Sequence, residues 1–571
     1  MSDIFESSLR LKKSIEKVAK EVIERDTRSC LRVYKAVVIT PPYVDENLGN
    51  VCQVKMIGDD TVLTLPYATC ANNIVAGDRV WVQTTYNSFK NAIVWIKTDM
   101  RTEPSEPPKH YGARWDKVQA QMTRLYDAEA FPTDTSNFGH FGSVNPNYSN
   151  PFDDIYPWSE IKLCNIDINL YMNLTEGKSV TECVTAWEGD PDFSYEDQYG
   201  VWRYRPSFYG KSWEDETYRY FDVCGSEMDG YVYYDEAIVG RWHGKNTELI
   251  INSSPATCFL PVLGIPTSRY TITEVIPNLN SYNGTIDSIF SIDSDLLLFA
   301  VEYATMNTQN AIGDGCTKLY ASGYQLLEDV TNNNVVKVSN SNGNAFCIPG
   351  AIFSISTDRT GNTLGSYIII SSEVDSNDTS ILNVTLNQNV TAQTANYWNV
   401  IGISNQKDET IGSRSGYIGT NGKANSYYRG IVLYGNFNMF TLGAYMNVSD
   451  RHIWIANTDE DAIDSINLNK NIHIDTGLVV PSEQNFISEL GCVSAQSPLS
   501  MPIFCTAVGG TSENPVGDYC YVPGSGGVNK IFIRGGDCKG ITRAGGFQNF
   551  WPYDSFSGTY ELSARPRLKN P

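Results

Sequence analysis

The sequence predicts an α+β chain, mostly β, and three observations carry that prediction. Short segments rich in Val, Ile, Tyr and Trp alternate with Gly-, Asn- and Ser-rich turns along nearly all of the 571 residues, the pattern of half-buried strands. Aromatic residues are abundant, with 34 Tyr, 22 Phe and 11 Trp beside 45 Gly, a mixture that suits strands, turns and contact surfaces better than long helices. Strong helical periodicity is confined to the N-terminal segment. At 41% hydrophobic and 19% charged residues the chain holds material for packed cores and lies far from disordered compositions.

Residues 1–30 form the first element, a helix over Ile4–Arg25 in which Leu11, Ile15, Val18 and Val22 are spaced alternately four and three apart. This is the seam of a short coiled coil. Fewer than three heptads are marginal alone, so the helix is expected to self-associate or dock on a partner; the plainer alternative is an amphipathic helix folded onto its own domain.

Residues 31–98 switch to period two in five segments, LRVYKAVVIT, NVCQVKMI, DTVLTLPY, GDRVWVQTTY and NAIVWIK, separated by turn signals such as Gly58-Asp59-Asp60 and Gly77-Asp78. Five short strands in so few residues predict a small OB- or SH3-like β-barrel, because closure removes unpaired edges. Residues 99–150 read as a Pro-rich linker, with Pro104, Pro107 and Pro108 in a polar setting, followed by a short helix from Arg114 to Tyr126. Residues 151–571 read as one large domain with irregular loops. It contains a helix from Ser294 to Met306, with Leu296, Leu297, Phe299, Ala300 and Tyr303 on its buried face, and an inserted β subdomain around 315–410.

Charge and motifs exclude several functions. With 43 Lys+Arg against 65 Asp+Glu, the formal charge of −22 repels a phosphate backbone, so nucleic acid is not an expected partner even for an OB-like barrel. The longest apolar run, Leu296–Val301, falls far short of the roughly 20 residues of a membrane-spanning helix, so no membrane insertion is expected. The N-terminus has no apolar stretch before its first basic cluster, which argues against export through the general secretory route. There is no Walker A loop, G-x-S-x-G elbow, H-E-x-x-H helix or dinucleotide fingerprint. The 13 cysteines contain no C-x-x-C pair and read as small buried apolar residues of a cytosol-made protein. Five dispersed histidines offer no zinc site. Asp459, Asp461 and Asp464 could offer oxygens to a structural Ca²⁺, but the interior Gly and distal Glu of an EF-hand loop are missing, so a solvated acidic loop is the simpler expectation and no cofactor is assigned.

The C-terminal stretch carries the most information. It runs IFIRGG (531–536), AGGF (544–547), NFWPYDSFSGTY (549–560) and SARPRL (563–568): an apolar strand, a Gly pair for a tight turn, a display loop and a closing strand. Rigid aromatic rings among small polar residues make an adaptable binding surface. The expected binding residues are therefore Asn549, Trp551, Tyr553, Asp554, Ser557 and Tyr560.

The R-G-G turn, the A-G-x-F step and the S-x-R-x-R-L strand resemble the end of a C-type-lectin-like fold of the formylglycine-generating-enzyme type, as found in bacteriophage tail-fibre and receptor-binding proteins. Upstream blocks at 158–191, 218–239, 297–310 and 427–440 are similar to such proteins in order and spacing, so the resemblance spans roughly 150–570. The helix-plus-barrel start resembles the attachment module of phage minor structural proteins. The resemblance implies a virion protein made in the host cytoplasm. Its N-terminal region would bind other virion proteins, it would be homotrimeric, and its lectin-like domain would bind a host-surface glycan or protein. A head-fibre, collar or baseplate component without receptor contact is the alternative. Cys505, Cys520 and Cys538 lie in the region where enzymes of this fold carry copper-binding, redox-active cysteines, but their surroundings do not match, so an oxidase is the least favoured reading and no catalysis is expected.

Overall fold

The chain divides between Pro107 and Pro108 into two units in the computed structural model. The structure describes residues 31–45, 49–56, 62–66, 79–85, 88–99, 108–135, 138, 149–313, 315–317, 319–359, 363–406, 427–464, 466–491, 499–513, 515–522, 528–539, 543–557 and 562–571. The expected coiled-coil residues Leu11, Ile15, Val18 and Val22 lie outside the described residues.

In the first unit the five expected strands form one antiparallel sheet, in the order Val62–Pro66, Gly49–Met56, Leu31–Asp45, Arg79–Thr85, Ser88–Asp99. Alternate residues face inward, so Ala36, Val38, Cys52, Val54, Leu65, Val80 and Val82 make the core. Register shifts after Val38 and Thr40 bend the longest strand, and the sheet curls until its two edge strands approach within 8 Å.

The second unit is mostly β with one central helix. Its first sheet is antiparallel, in the order Val232–Tyr234, Phe208–Glu214, Tyr218–Cys224, His110–Asp116, Gln121–Tyr126. The expected helix over Arg114–Tyr126 is therefore a hairpin, and the unit begins at Pro108, not at 151. The turn lacks Gly, Asn and Pro, which hid it from the sequence reading. It closes because the Asp116 carboxylate accepts from the N–H of Val118 and Gln119 at 2.9 and 2.8 Å, with Ala120 at φ 52°.

Behind this sheet runs the helix Ile289–Tyr303, capped by Ser288 and buried at every residue but Phe290. It starts five residues before the expected Ser294 because Ser291 and Asp293, polar by sequence, are core residues, Asp293 with internal partners. Arg203 Nη2 donates to both carboxylate oxygens of Asp295 at 2.8 and 2.9 Å. Asp293 accepts from the Ser500 and Met501 N–H groups at 2.9 and 2.7 Å and from the Tyr234 hydroxyl.

A six-stranded sheet places the chain end at its interior. Pro566–Leu568 pairs with Gly284–Ile286 on one side and Ala237–Gly240 on the other. The arginines of the closing S-x-R-x-R-L segment point inward, Arg565 to Asp287 at 3.2 Å and Arg567 to Ser288 at 2.8 Å and Asp459 at 2.9 Å. The segment thus ties the C-terminus to the start of the central helix. Asp459–Asp464 is a short helix, not a solvated loop, and Asp459 is committed to Arg567. Residues 320–403 add a six-stranded sheet with its own core around Val336, Phe353, Leu382, Val384 and Trp398. Among the described residues no helix is long and apolar enough to cross a membrane.

Candidate functional site

The expected display loop divides on folding. Gly535 and Gly536 take φ 92° and 70°, as the tight turn requires. Beyond it, a Cβ on Gly545 would lie 1.9 Å from Asp518 Oδ1, so only glycine lets the chain wrap the buried Asp518 carboxylate, which accepts from Phe547 N at 2.6 Å. Asn549 and Trp551 are fully buried and are not display residues. Asn549 accepts from Cys505 N at 2.9 Å and donates to the carbonyls of Ile503 and Phe547 at 2.8 and 2.9 Å, bridging separate strands. Trp551 packs 5.0 Å from Phe532, centroid to centroid. The polar neighbours that suggested a surface loop are satisfied internally, which sequence alone does not reveal. Tyr553 is half-buried 5.4 Å from Phe550. Asp554 and Ser557, both half-buried, bond to each other at 3.0 Å and shape a turn. Phe556, at its tip, is 61% exposed. Tyr560 lies outside the described residues.

Aromatic residues gather at the surface elsewhere, on the outer face of the first sheet of the second unit. Strand alternation sends Tyr111, Trp115, Phe208, Phe221, Val223 and Tyr234 into the core. The opposite face carries Tyr209, Lys211 and Trp213 on one strand, Tyr218 and Tyr220 on the next, and Arg114 beyond them, each half-buried, with Tyr233 51% exposed at the edge. The signal was present as Y-x-K-x-W at 209–213 and Y-x-Y at 218–220 and 231–233, three aromatic alternations whose partnership depends on strand pairing.

The rings on this face are held in place. Trp213 and Tyr220, directly cross-strand, stack at 5.0 Å with 5° between planes. Arg114 lies 4.6 Å above Tyr218, and Lys211 Nζ is 5.5 Å from Trp213 and 5.8 Å from Tyr231. Tyr209 and Tyr233 meet at 5.1 Å. His110 stacks on Tyr126 at 4.1 Å, where Gly112 leaves room for the Tyr126 ring. Beneath them Asp222, 1% exposed, accepts from Tyr231 OH at 2.5 Å and pairs with His110 Nδ1 at 2.7 Å. Burial pushes the Asp222 carboxyl up, opposed by those two hydrogen bonds. The face therefore offers preordered rings beside ammonium, guanidinium and phenol donors, an arrangement that can stack on a ring-shaped ligand and fix its polar groups.

No family model matches this chain, and no curated protein matches it at a significant level.

The cysteines have a different character. All ten described cysteines are buried. The Cys505 thiol donates to the Ala507 carbonyl at 3.3 Å, and the neighbouring Cys520 together with burial pushes it up, away from the thiolate a nucleophile or metal ligand needs. Among the described residues no group of three or more His, Cys, Asp or Glu side chains is placed to hold a metal ion.

Proposed function

We propose that this chain is a bacteriophage virion protein of the tail-fibre or spike type. In this reading the first unit attaches it to other virion proteins, and the Pro108–Pro571 unit binds a host-surface glycan or protein. The virion assignment rests on the sequence resemblance. The binding role rests on one structural observation, the aromatic outer face around Trp213, Tyr220, Tyr209 and Tyr233. This moves the receptor surface from the 549–560 segment to the sheet. A saccharide chain is the preferred receptor, because half-exposed rings and flanking hydrogen-bond donors match the apolar faces and hydroxyls of sugars.

A second reading, a head-fibre, collar or baseplate component, is favoured by the place of His110 on this face, two residues after the unit begins. In this reading the face seats a neighbouring virion protein. Replacing Tyr209, Trp213 and Tyr220 with Ala distinguishes the two. Loss of adsorption by particles that still incorporate the protein supports receptor binding. Loss of incorporation supports the structural reading, and particles normal in both respects would remove this face from the function.

A further inference from the structure

A separate recess of about 340 Å³ opens elsewhere in the second unit, lined by residues 153, 158–159, 161–163, 188–189 and 429–430. Its floor is an ion-pair network. Arg429, 5% exposed, donates to both carboxylate oxygens of Glu302 at 2.7 and 2.8 Å and to the Trp158 carbonyl at 3.1 Å. Glu302 is further held by Asn150 Nδ2 at 2.5 Å and Tyr428 OH at 2.9 Å. The arginine sits at φ 41°, a strained conformation for a non-glycine residue and one that collects at functional sites.

Asp153 brings a second carboxylate to the same guanidinium. Its Oδ1 lies 3.0 Å from Arg429 Nη2 without the alignment of a full hydrogen bond, and the side chain remains 28% exposed. Burial pushes this carboxyl up to about 6, with Arg429 opposing and Glu302 adding to the rise, so it is mostly ionised at neutral pH. At the rim, Lys162 is paired with Glu160 at 3.3 Å, and Glu188 accepts from Tyr195 OH at 2.9 Å. Both lining cations thus already carry a carboxylate partner, while Asp153 has only a share of one. An anion at the floor would have to break the buried Arg429–Glu302 pair, whereas a cation beside Asp153 would complete the charge balance. Ile161 and Leu163 add apolar wall, and Ser159 adds a hydroxyl.

We infer that this cleft binds a single hydroxyl-rich ring carrying a protonated amine, chemically an unacetylated amino sugar, with its ammonium at Asp153 and its apolar face toward Ile161 and Leu163. A volume near the lower end of the ~300–1,000 Å³ usual for ligand sites sets the size at one sugar ring. The inference stands apart from the receptor reading, which concerns the aromatic face, and its test uses no particle.

Saturation-transfer NMR titrations of the full chain with glucosamine, glucose and glucuronate decide it. Glucosamine should bind saturably and about tenfold more tightly than glucose, the scale of one charge-assisted hydrogen bond, with glucuronate silent. Asp153→Asn should remove the preference over glucose. Ser159→Trp, which replaces no member of the ion-pair network, should block binding at an unchanged melting temperature and so decides the matter should Asp153→Asn destabilise the fold. Absence of saturable glucosamine binding, glucuronate binding as tight as glucosamine, or glucosamine binding that survives Ser159→Trp would overturn the assignment.

Discussion

The outer face of the first sheet and the C-terminal segment 544–557 draw on the same residues, Tyr and Trp set among Asp, Ser and Gly, yet folding sends them in opposite directions. On the sheet, strict alternation places Phe221 and Tyr234 in the core and leaves Tyr220 and Tyr233 outside. In the C-terminal segment the chain threads between strands, so Asn549 and Trp551 have neighbours on every side. Residue type alone therefore says little about display. What decides is whether the backbone has two faces, one of which can stay wet, or runs through the interior.

The contrast can be broken most forcefully at Trp551. Truncation to Ala should cost about 3–5 kcal/mol of stability, as for other buried aromatic rings, measured by denaturant unfolding of the full chain. A loss below 1 kcal/mol would return Trp551 to the surface.

Beneath the sheet, Asp293 gives a pH test of comparable size. Burial pushes its carboxyl from 3.8 up to about 6 despite hydrogen bonds from Tyr234, Ser500 and Met501. A raised carboxyl favours the native state most at low pH. Relative to Asp293→Asn, the wild type should therefore lose roughly 2–3 kcal/mol as pH rises from about 4 through 6. Parallel stability–pH curves for the two proteins would remove Asp293 as a titrating brace.

Gly545→Ala sets a methyl against the Asp518 carboxylate and should cost about 1–3 kcal/mol by overpacking, seen as a lowered unfolding midpoint. Smallest is the expected stability effect of Trp213→Ala or Tyr220→Ala, within about 1 kcal/mol for a cross-strand surface pair. The same substitutions should weaken particle adsorption by about tenfold or more if the stacked rings anchor the receptor. Adsorption assays beside melting curves separate the two effects, and variants that melt normally and adsorb normally would equate this face with any other surface.

Much of the fold was legible because it follows from local period. The five strands of the first unit were readable from alternating Val and Ile, and the central helix from Leu296, Leu297, Phe299, Ala300 and Tyr303, since burying one face fixes such patterns. The helix start was missed because Ser291 and Asp293 look like solvent residues until the 500–501 backbone arrives from distant sequence. The hairpin at His110–Tyr126 was missed because its turn is made by an Asp116 carboxylate and not by Gly or Asn. For the candidate site, the aromatic excess was visible in the sequence, but where rings would be displayed was not. Tyr209, Tyr220 and Tyr233 become neighbours only through the pairing of three strands.

By itself the sequence determined the class, a strand-rich chain with a small N-terminal sheet, one buried helix and glycines at the C-terminal turn, because hydrophobic period and backbone freedom act over a few residues. Tertiary structure alone decided which aromatics stay exposed, which carboxylates sit in the core and where clefts open. Those properties depend on segments hundreds of residues apart, such as Asp153, Glu302 and Arg429, meeting where burial makes every unpaired charge costly.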